Sequence, residues 1–245
     1  MNNLVPELLI ENRDGLLCLT LNRAQKANAM TIEMTRGLAE ALRNARDDAA
    51  VRGVLLTGAG ERVFSGGVDV RQTSTLPPEA FRQARSTAFF AVLIELVEFE
   101  KPVVAAVNGV ASGGGFMIAA LADAIVAADA ATFALPEIDL GTPPLAALAI
   151  LTPLIGGALA YDLVQSARHL SAADGAQHGL IRAVVPRADV AMHAETLARE
   201  LMAKNPRAFA ASKAWMRKPM RAALEQAERD MVTWRAAGSG SDHAL

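Results

Sequence analysis

The sequence predicts an α/β core with parallel strand pairing, followed by a helical C-terminal part. Three observations predict it. Short apolar β-like runs alternate with helical periodicity in the first half of the chain, the order that builds parallel sheets. Helical periodicity dominates beyond Gly141. Hydrophobic residues make up 52% of the 245 residues against 20% charged, which supports a large buried core and excludes a disordered chain.

The elements follow in order. Leu8–Glu11 and Leu16–Leu21 read as strands, with Asn12–Gly15 as turn residues between them. A helix starts near Thr31, whose hydroxyl can cap it, and Leu38, Ala41, Leu42 and Ala45 recur at helical spacing. Val54–Thr57 is a buried strand ended by Gly58 and Gly60, and Glu79–Phe99 a long helix. Pro102 opens the strand Val103–Val107, followed by Asn108-Gly109, the cluster Gly113–Gly115 and a short helix over Phe116–Leu121. Ala124–Ala127 and Thr132–Leu135 are two more β-like runs. Leu140 to Tyr161 carries no charge, but Gly141, Pro143, Pro144, Pro153, Gly156 and Gly157 interrupt it. It therefore reads as a helix start, a break and a second helix buried in protein, not as a membrane span of ~20 apolar residues. The chain then reads as mostly helical to Arg235, with a loose tail at Gly238–Ser241. A soft boundary near Pro186–Val190 separates a core over 1–190 from a helical region over 191–245.

The formal net charge of −2 gives no basic field for nucleic acid or an anionic membrane, so neither is an expected partner. Cys18 is the only cysteine, which excludes an internal disulfide. The first residues lack a basic stretch followed by an apolar run and cleavage site, so a cytoplasmic protein is expected. Gly58-Ala-Gly60 lacks the third glycine of a dinucleotide fingerprint, since Val63 stands there. Ser65 and Ser112 lie near glycines but not in a nucleophile elbow. His169, His178, His193 and His243 lack metal-ligand spacing and read as surface residues, so no metal is expected.

Two glycine clusters each follow a β-like run: Phe64-Ser-Gly-Gly-Val-Asp69 and Asn108-Gly-Val-Ala-Ser-Gly-Gly-Gly115. The second also opens a helix, whose first N–H groups have no internal partner and suit developing negative charge. One donor from each cluster would make an oxyanion hole; two ordinary turns would use the same residues.

Four ordered segments resemble the enoyl-CoA hydratase/isomerase (crotonase) family: Leu21-Asn-Arg-Ala-Gln-Lys-Ala-Asn-Ala-Met30, Phe64–Asp69, Lys101–Gly115 and Pro136-Glu-Ile-Asp-Leu-Gly141. Ala176–Val185, and Asn205-Pro with Lys213, resemble its later segments. The resemblance implies a spiral of ββα units with C-terminal helices that form a homotrimer or hexamer, and an acyl-CoA thioester as substrate. Coenzyme A is then part of the substrate, and no separate cofactor is implied. The resemblance assigns the oxyanion hole to the backbone N–H groups of Val68 and Gly114, and CoA contacts to the neighbourhood of Lys26, Ala27, Asp69 and Arg71.

Hydratases of the family use two glutamates. One matches Glu137, implied here as the catalytic acid or base. Met117 occupies the position of the other and cannot carry a proton. A single carboxylate that moves a proton from C2 to C4 is the pattern of 3-enoyl-CoA to 2-enoyl-CoA isomerases, which makes isomerisation the leading expectation. An atypical hydratase, and a non-catalytic acyl-CoA-binding subunit, are the alternatives. Leu145 stands where dienoyl-CoA isomerases and aromatic dehalogenases place an aspartate, which disfavours both activities. The apolar run Leu145–Leu151 is expected to line the acyl pocket. Asp139 is a spare carboxylate whose direction relative to Glu137 depends on whether this stretch is strand or turn.

Overall fold

A computed structural model of the chain describes residues 5–238. Strands β1 (Leu8–Arg13) and β2 (Leu16–Leu21) form a hairpin, followed by a 3-10 turn at Ala24–Lys26 and helix α1 (Ile32–Asp47). Then come β3 (Gly53–Gly58), β4 (Val63–Ser65), α2 (Pro78–Glu98), β5 (Val103–Val107), β6 (Val110–Ser112) and α3 (Gly114–Ala120). After β7 (Ala124–Ala128) and β8 (Thr132–Ala134), the chain continues through α4 (Leu145–Ile155), α5 (Gly157–Ser166), β9 (Leu170–Ser171), α6 (Ala172–Gln177) and β10 (Ala183–Val185). It ends in α7 (Val190–Met202) and α8 (Pro206–Gly238).

The strands form a six-stranded sheet, β1-β2-β3-β5-β7-β10, and a four-stranded sheet, β4-β6-β8-β9. Only the β1–β2 and β8–β9 pairs are antiparallel. Each turn of chain lays one strand in the large sheet and the next in the small one, as β3–β4, β5–β6 and β7–β8. Helices α2 and α3 close the first two turns, which is the expected ββα spiral. All five residues of β5, Val-Val-Ala-Ala-Val, are buried, as a strand covered on both faces requires. The passage from β5 to β6 is so tight that a β-carbon on Gly109 would stand 2.1 Å from the Arg62 carbonyl oxygen. No other residue fits that crossing.

Helix α1 forms where expected, with the Thr31 side chain accepting from the Met34 N–H at 3.1 Å and its apolar face buried. The uncharged stretch breaks at Gly156, between α4 and α5, as its glycine and proline content predicts. Among the described residues, no helix is long and apolar enough to cross a membrane. Helix α7 lies on β3, β5 and β7, while α8 packs on α4 and α2. Buried Lys213 fastens α8 to the core by donating to Asp123 Oδ2 at 2.6 Å and to the Lys101 carbonyl at 2.9 Å.

Three local expectations need correction. Val63–Ser65 and Val110–Ser112 are strands, where the sequence suggested only turns around glycines. The region beyond Gly141 is mostly helical as expected, but the two short strands Leu170–Ser171 and Ala183–Val185 within it, which pair with β8 and β7, were not anticipated. Helix α3 starts at Gly114, inside the glycine cluster, rather than at Phe116. Runs of two or three residues carry too little periodicity to announce a strand; partner strands supply the hydrogen bonds. Gly238 ends α8, and the rest of the expected loose tail, with His243, lies outside the described residues.

Candidate active site

Three parallel neighbours of the small sheet, β4, β6 and β8, end on the same side. Gly66-Gly67-Val68 follows the first, Gly113-Gly114 the second and Glu137 the third. The topology alone thus gathers residues that are far apart in sequence. The Gly113 N–H donates to the Ala134 carbonyl at 2.9 Å, which fixes the second loop to the third. A β-carbon on Gly67 would stand 3.0 Å from the Gly114 nitrogen, and one on Gly114 would stand 3.2 Å from Val68 Cγ2. The two glycine clusters therefore touch.

Among the described residues, the backbone geometry leaves the Val68 and Gly114 N–H groups without an acceptor. Val68 forms an isolated parallel bridge with Met30, in which Met30 donates to the Gly67 carbonyl and accepts from the Asp69 N–H, each at 2.8 Å. That pattern turns the N–H of Val68 itself away from Met30. Gly114 opens α3 after Gly113, so its N–H has no acceptor one turn earlier. Buried Ser65 braces the first loop, donating to the Asn28 carbonyl at 2.9 Å and accepting from Gly67 N–H at 3.2 Å. Fully buried Asn28 donates to the Ala59 and Val63 carbonyls at 2.9 and 2.8 Å. Sequence reasoning quoted Asn28 and Ser65 only within motifs and assigned them no bracing role.

Glu137 sits in the turn after β8, where its carbonyl accepts from Leu140 and Thr142. Its Oε2 is shut from solvent and has no hydrogen-bond partner among the described residues. Burial pushes the Glu137 carboxyl up to about 7, against a smaller opposite effect of its own backbone N–H. The turn also answers the question of Asp139, which is exposed and does not line the cavity.

These groups open onto a cavity of about 1190 Å³. Val68, Gly114, Met117, Glu137 and Leu145 all line it. Met117 is only 6% exposed and presents an apolar side chain to the cavity. Ala146 and Ala147 continue the wall from Leu145, and Met231, Val232 and Trp234 of α8 close another side. Lys26, Ala27, Asp69 and Arg71 are not brought into this lining. Ala27 accepts from Gly66 N–H at 2.8 Å, so its exposed turn abuts the first glycine cluster from outside. Asp69 is held by Arg23 at 3.0 Å and accepts from the Arg71 N–H. Arg82 and Arg85 of α2, and Arg235 of α8, do line the cavity and were not singled out from the sequence. The spacing of the first two on one helix was visible; nothing local ties Arg235 to them.

A ββα spiral that brings two glycine loops and a buried carboxyl to one cavity is the arrangement that the crotonase resemblance implies. The chain belongs to the enoyl-CoA hydratase/isomerase family, whose profile matches residues 11–235. It is 37% identical over 225 residues to the carnitinyl-CoA dehydratase of Escherichia coli K12, covering 91% of this chain and 85% of that protein. Among solved structures, an enoyl-CoA hydratase from Mycobacterium avium subsp. paratuberculosis K-10 superposes with a TM-score of 0.85 at 26% identity, over 95% of this chain and 90% of that one. A carnitinyl-CoA dehydratase from Mycobacterium avium 104 gives 0.79 at 30% identity, over 94% and 92%.

Proposed function

We propose that the protein interconverts 3-hydroxyacyl-CoA and 2-enoyl-CoA thioesters by losing or adding water, with Glu137 as the one acid–base group. The observation that carries this reading is the desolvated Glu137 carboxyl beside Gly113, with one oxygen unpartnered. The relatives named as dehydratases and hydratases favour water loss or addition over the isomerisation that Met117 suggests.

The chemistry balances with one carboxylate. Val68 and Gly114 N–H groups hold the thioester oxygen, so the C2 proton becomes acidic. Glu137 takes that proton and leaves an enolate stabilised by both donors. The electron pair returns, the C3–O bond breaks, and Glu137 passes its proton to the departing hydroxyl, giving water and the 2-enoyl thioester. The carboxylate is regenerated. A carboxyl near 7 can accept and release a proton at neutral pH. Each oxyanion donor is worth about 3–4 kcal/mol of barrier.

The second reading is the proton shift from C2 to C4, favoured by apolar Met117, which gives water no second carboxylate. Parallel assays separate the two: 3-hydroxybutyryl-CoA or crotonyl-CoA turnover against 3-hexenoyl-CoA isomerisation. Faster hydration–dehydration supports the first reading, faster isomerisation the second, and no turnover of any thioester removes both.

A further inference from the structure

The cavity carries three guanidinium groups that the proton-transfer chemistry does not use. Arg82, Arg85 and Arg235 all line it, and among the described residues none of the three forms an ion pair. Arg235 reaches from α8 to α2, donating to Ser86 Oγ at 2.9 Å and Gln83 Oε1 at 3.4 Å. Arg85 lies over the Phe81 ring at 5.6 Å. Among the described residues, the carboxylates lining the cavity are Glu79 and Glu137. Asp69 exerts a favourable field on Arg85 but is already bound by Arg23.

The like charges act on one another. Burial and then Arg82 lower Arg85, and burial, Arg85 and Arg82 lower Arg235. Arg82 is exposed while Arg85 and Arg235 are part-buried, so the cluster presents its charge to the cavity and gains from an anion there. Its place is also fixed. Phe89 stands against Gly114, since a β-carbon there would lie 2.8 Å from the ring. Arg85 and Arg82 are four and seven residues earlier on the same helix, about 6 and 10 Å along its axis at 1.5 Å per residue. Arg85 and Arg82 therefore stand one to two helical turns along α2 from the residue that packs on Gly114, on the wall of the same cavity.

We propose that Arg82, Arg85 and Arg235 form an anion subsite that binds the distal carboxylate of a dicarboxylic acyl-CoA. This rests on the acyl-CoA reading above and adds the substrate class. An acyl group ending in a quaternary ammonium would meet the same three cations and be rejected. A phosphate of the CoA moiety is the other source of an anion, and paired ligands distinguish it.

The test is calorimetric binding of unreactive thioesters, which does not depend on Glu137. Adipoyl-CoA and hexanoyl-CoA differ in the terminal carboxylate alone. Adipoyl-CoA is expected to bind about 10–100-fold tighter, the range of charge-assisted hydrogen bonds. The R85Q and R235Q variants, each made singly, should bring that ratio toward one. The N-acetylcysteamine thioesters, which carry no phosphate, should keep the preference. Equal binding of the two CoA thioesters overturns the subsite while leaving the acyl-CoA reading intact. So does an equal loss for both in R85Q and R235Q, which would assign the arginines to phosphate. Failure of both CoA thioesters to bind overturns the acyl-CoA reading together with the subsite.

Discussion

Glu137 Oε1 lies 3.0 Å from the point where a β-carbon on Gly113 would stand. The acid–base group and the loop that presents the oxyanion donor are thus packed without a spare methyl between them. Gly113 also has φ +52°, a conformation that L side chains adopt only with strain. A Gly113→Ala variant must therefore either push the carboxyl away or distort the start of α3. Activity should fall by 10-fold or more, because misplacement of about 1 Å costs on the order of 10²-fold. Steady-state kinetics with a stability measurement checks this; a folded variant with unchanged kcat/KM would contradict it.

Glu137 couples activity and stability with opposite signs. Its folded pKa of about 7 lies above the unfolded 4.5, so the folded state holds the proton more tightly. Stability is therefore fully present below 4.5, declines between 4.5 and about 7, and stays reduced above that. The reduction has an upper bound of about 3 kcal/mol. Glu137→Gln should lose about 10²–10⁴-fold in activity while being more stable than wild type at pH 8, with the stability gap closing near pH 4. Urea unfolding at the two pH values measures the gap. With one carboxylate starting and ending deprotonated, kcat/KM should rise to a plateau with an apparent pKa near 7. A descending limb at higher pH would reveal a second essential acid.

Met117 sits on the first turns of α3, buried at the cavity wall. Met117→Glu places a second carboxyl there, near a helix N-terminus that favours negative charge. Hydration of crotonyl-CoA should rise relative to 3-enoyl isomerisation, by a modest factor because no bracing groups hold the new side chain. An unchanged ratio of the two rates would remove Met117 as a discriminator.

Much of this arrangement was legible, for reasons that differ by residue. Val103–Val107 could be read as a strand because it is buried on both faces and uniformly apolar. Val68, Gly114 and Glu137 could be placed through motif context, and they do meet at one cavity. The physical cause of their meeting was only partly legible: Thr132–Leu135 reads as a β-like run, but β4 and β6 have three residues each and gain their identity only from pairing. Arg235 was equally hidden, because its position beside Ser86 depends on α8 folding back across α2. The turn at Pro136–Gly141, which carries Asp139 outward, depends on backbone hydrogen bonds to Pro136 and Glu137 carbonyls that no residue pattern announces.

The expected trimer or hexamer needs an apolar surface to form it. Trp215 and Met216 on α8 are 78% and 74% exposed, adjacent large apolar side chains left open by the described residues. Exposed apolar patches of this kind mark association surfaces. Light scattering should give a trimer or hexamer for the wild type, and Trp215→Glu should shift it toward monomer. A monomeric wild type at micromolar concentration would contradict the expectation.

Asp123 decides how firmly the cavity's α8 wall is held. Its two oxygens accept from Lys213 at 2.6 Å and Arg217 at 3.2 Å, and Oδ2 also accepts from the Val103 N–H at 2.8 Å. Burial pushes Lys213 down to about 8, outweighing the opposing pull of Asp123. Asp123→Ala would leave two buried cations and a strand N–H without their acceptor, at a cost of about 3–5 kcal/mol. The pH dependence gives the mechanism. A lysine whose folded pKa is depressed binds its proton more weakly folded than unfolded, so its penalty fades as pH rises from the folded value of about 8 toward 10.5. Removing the carboxylate lowers that folded value further. The deficit of Asp123→Ala should therefore shrink as pH rises toward about 8 and stay level from there to 10, because Lys213 is then neutral in both folded proteins, and adding Lys213→Met should recover part of it at pH 7. Urea unfolding of the single and double variants across that range measures both effects. A loss below about 1 kcal/mol at pH 7, the size of an exposed pair, would mean that α8 is held by apolar packing instead.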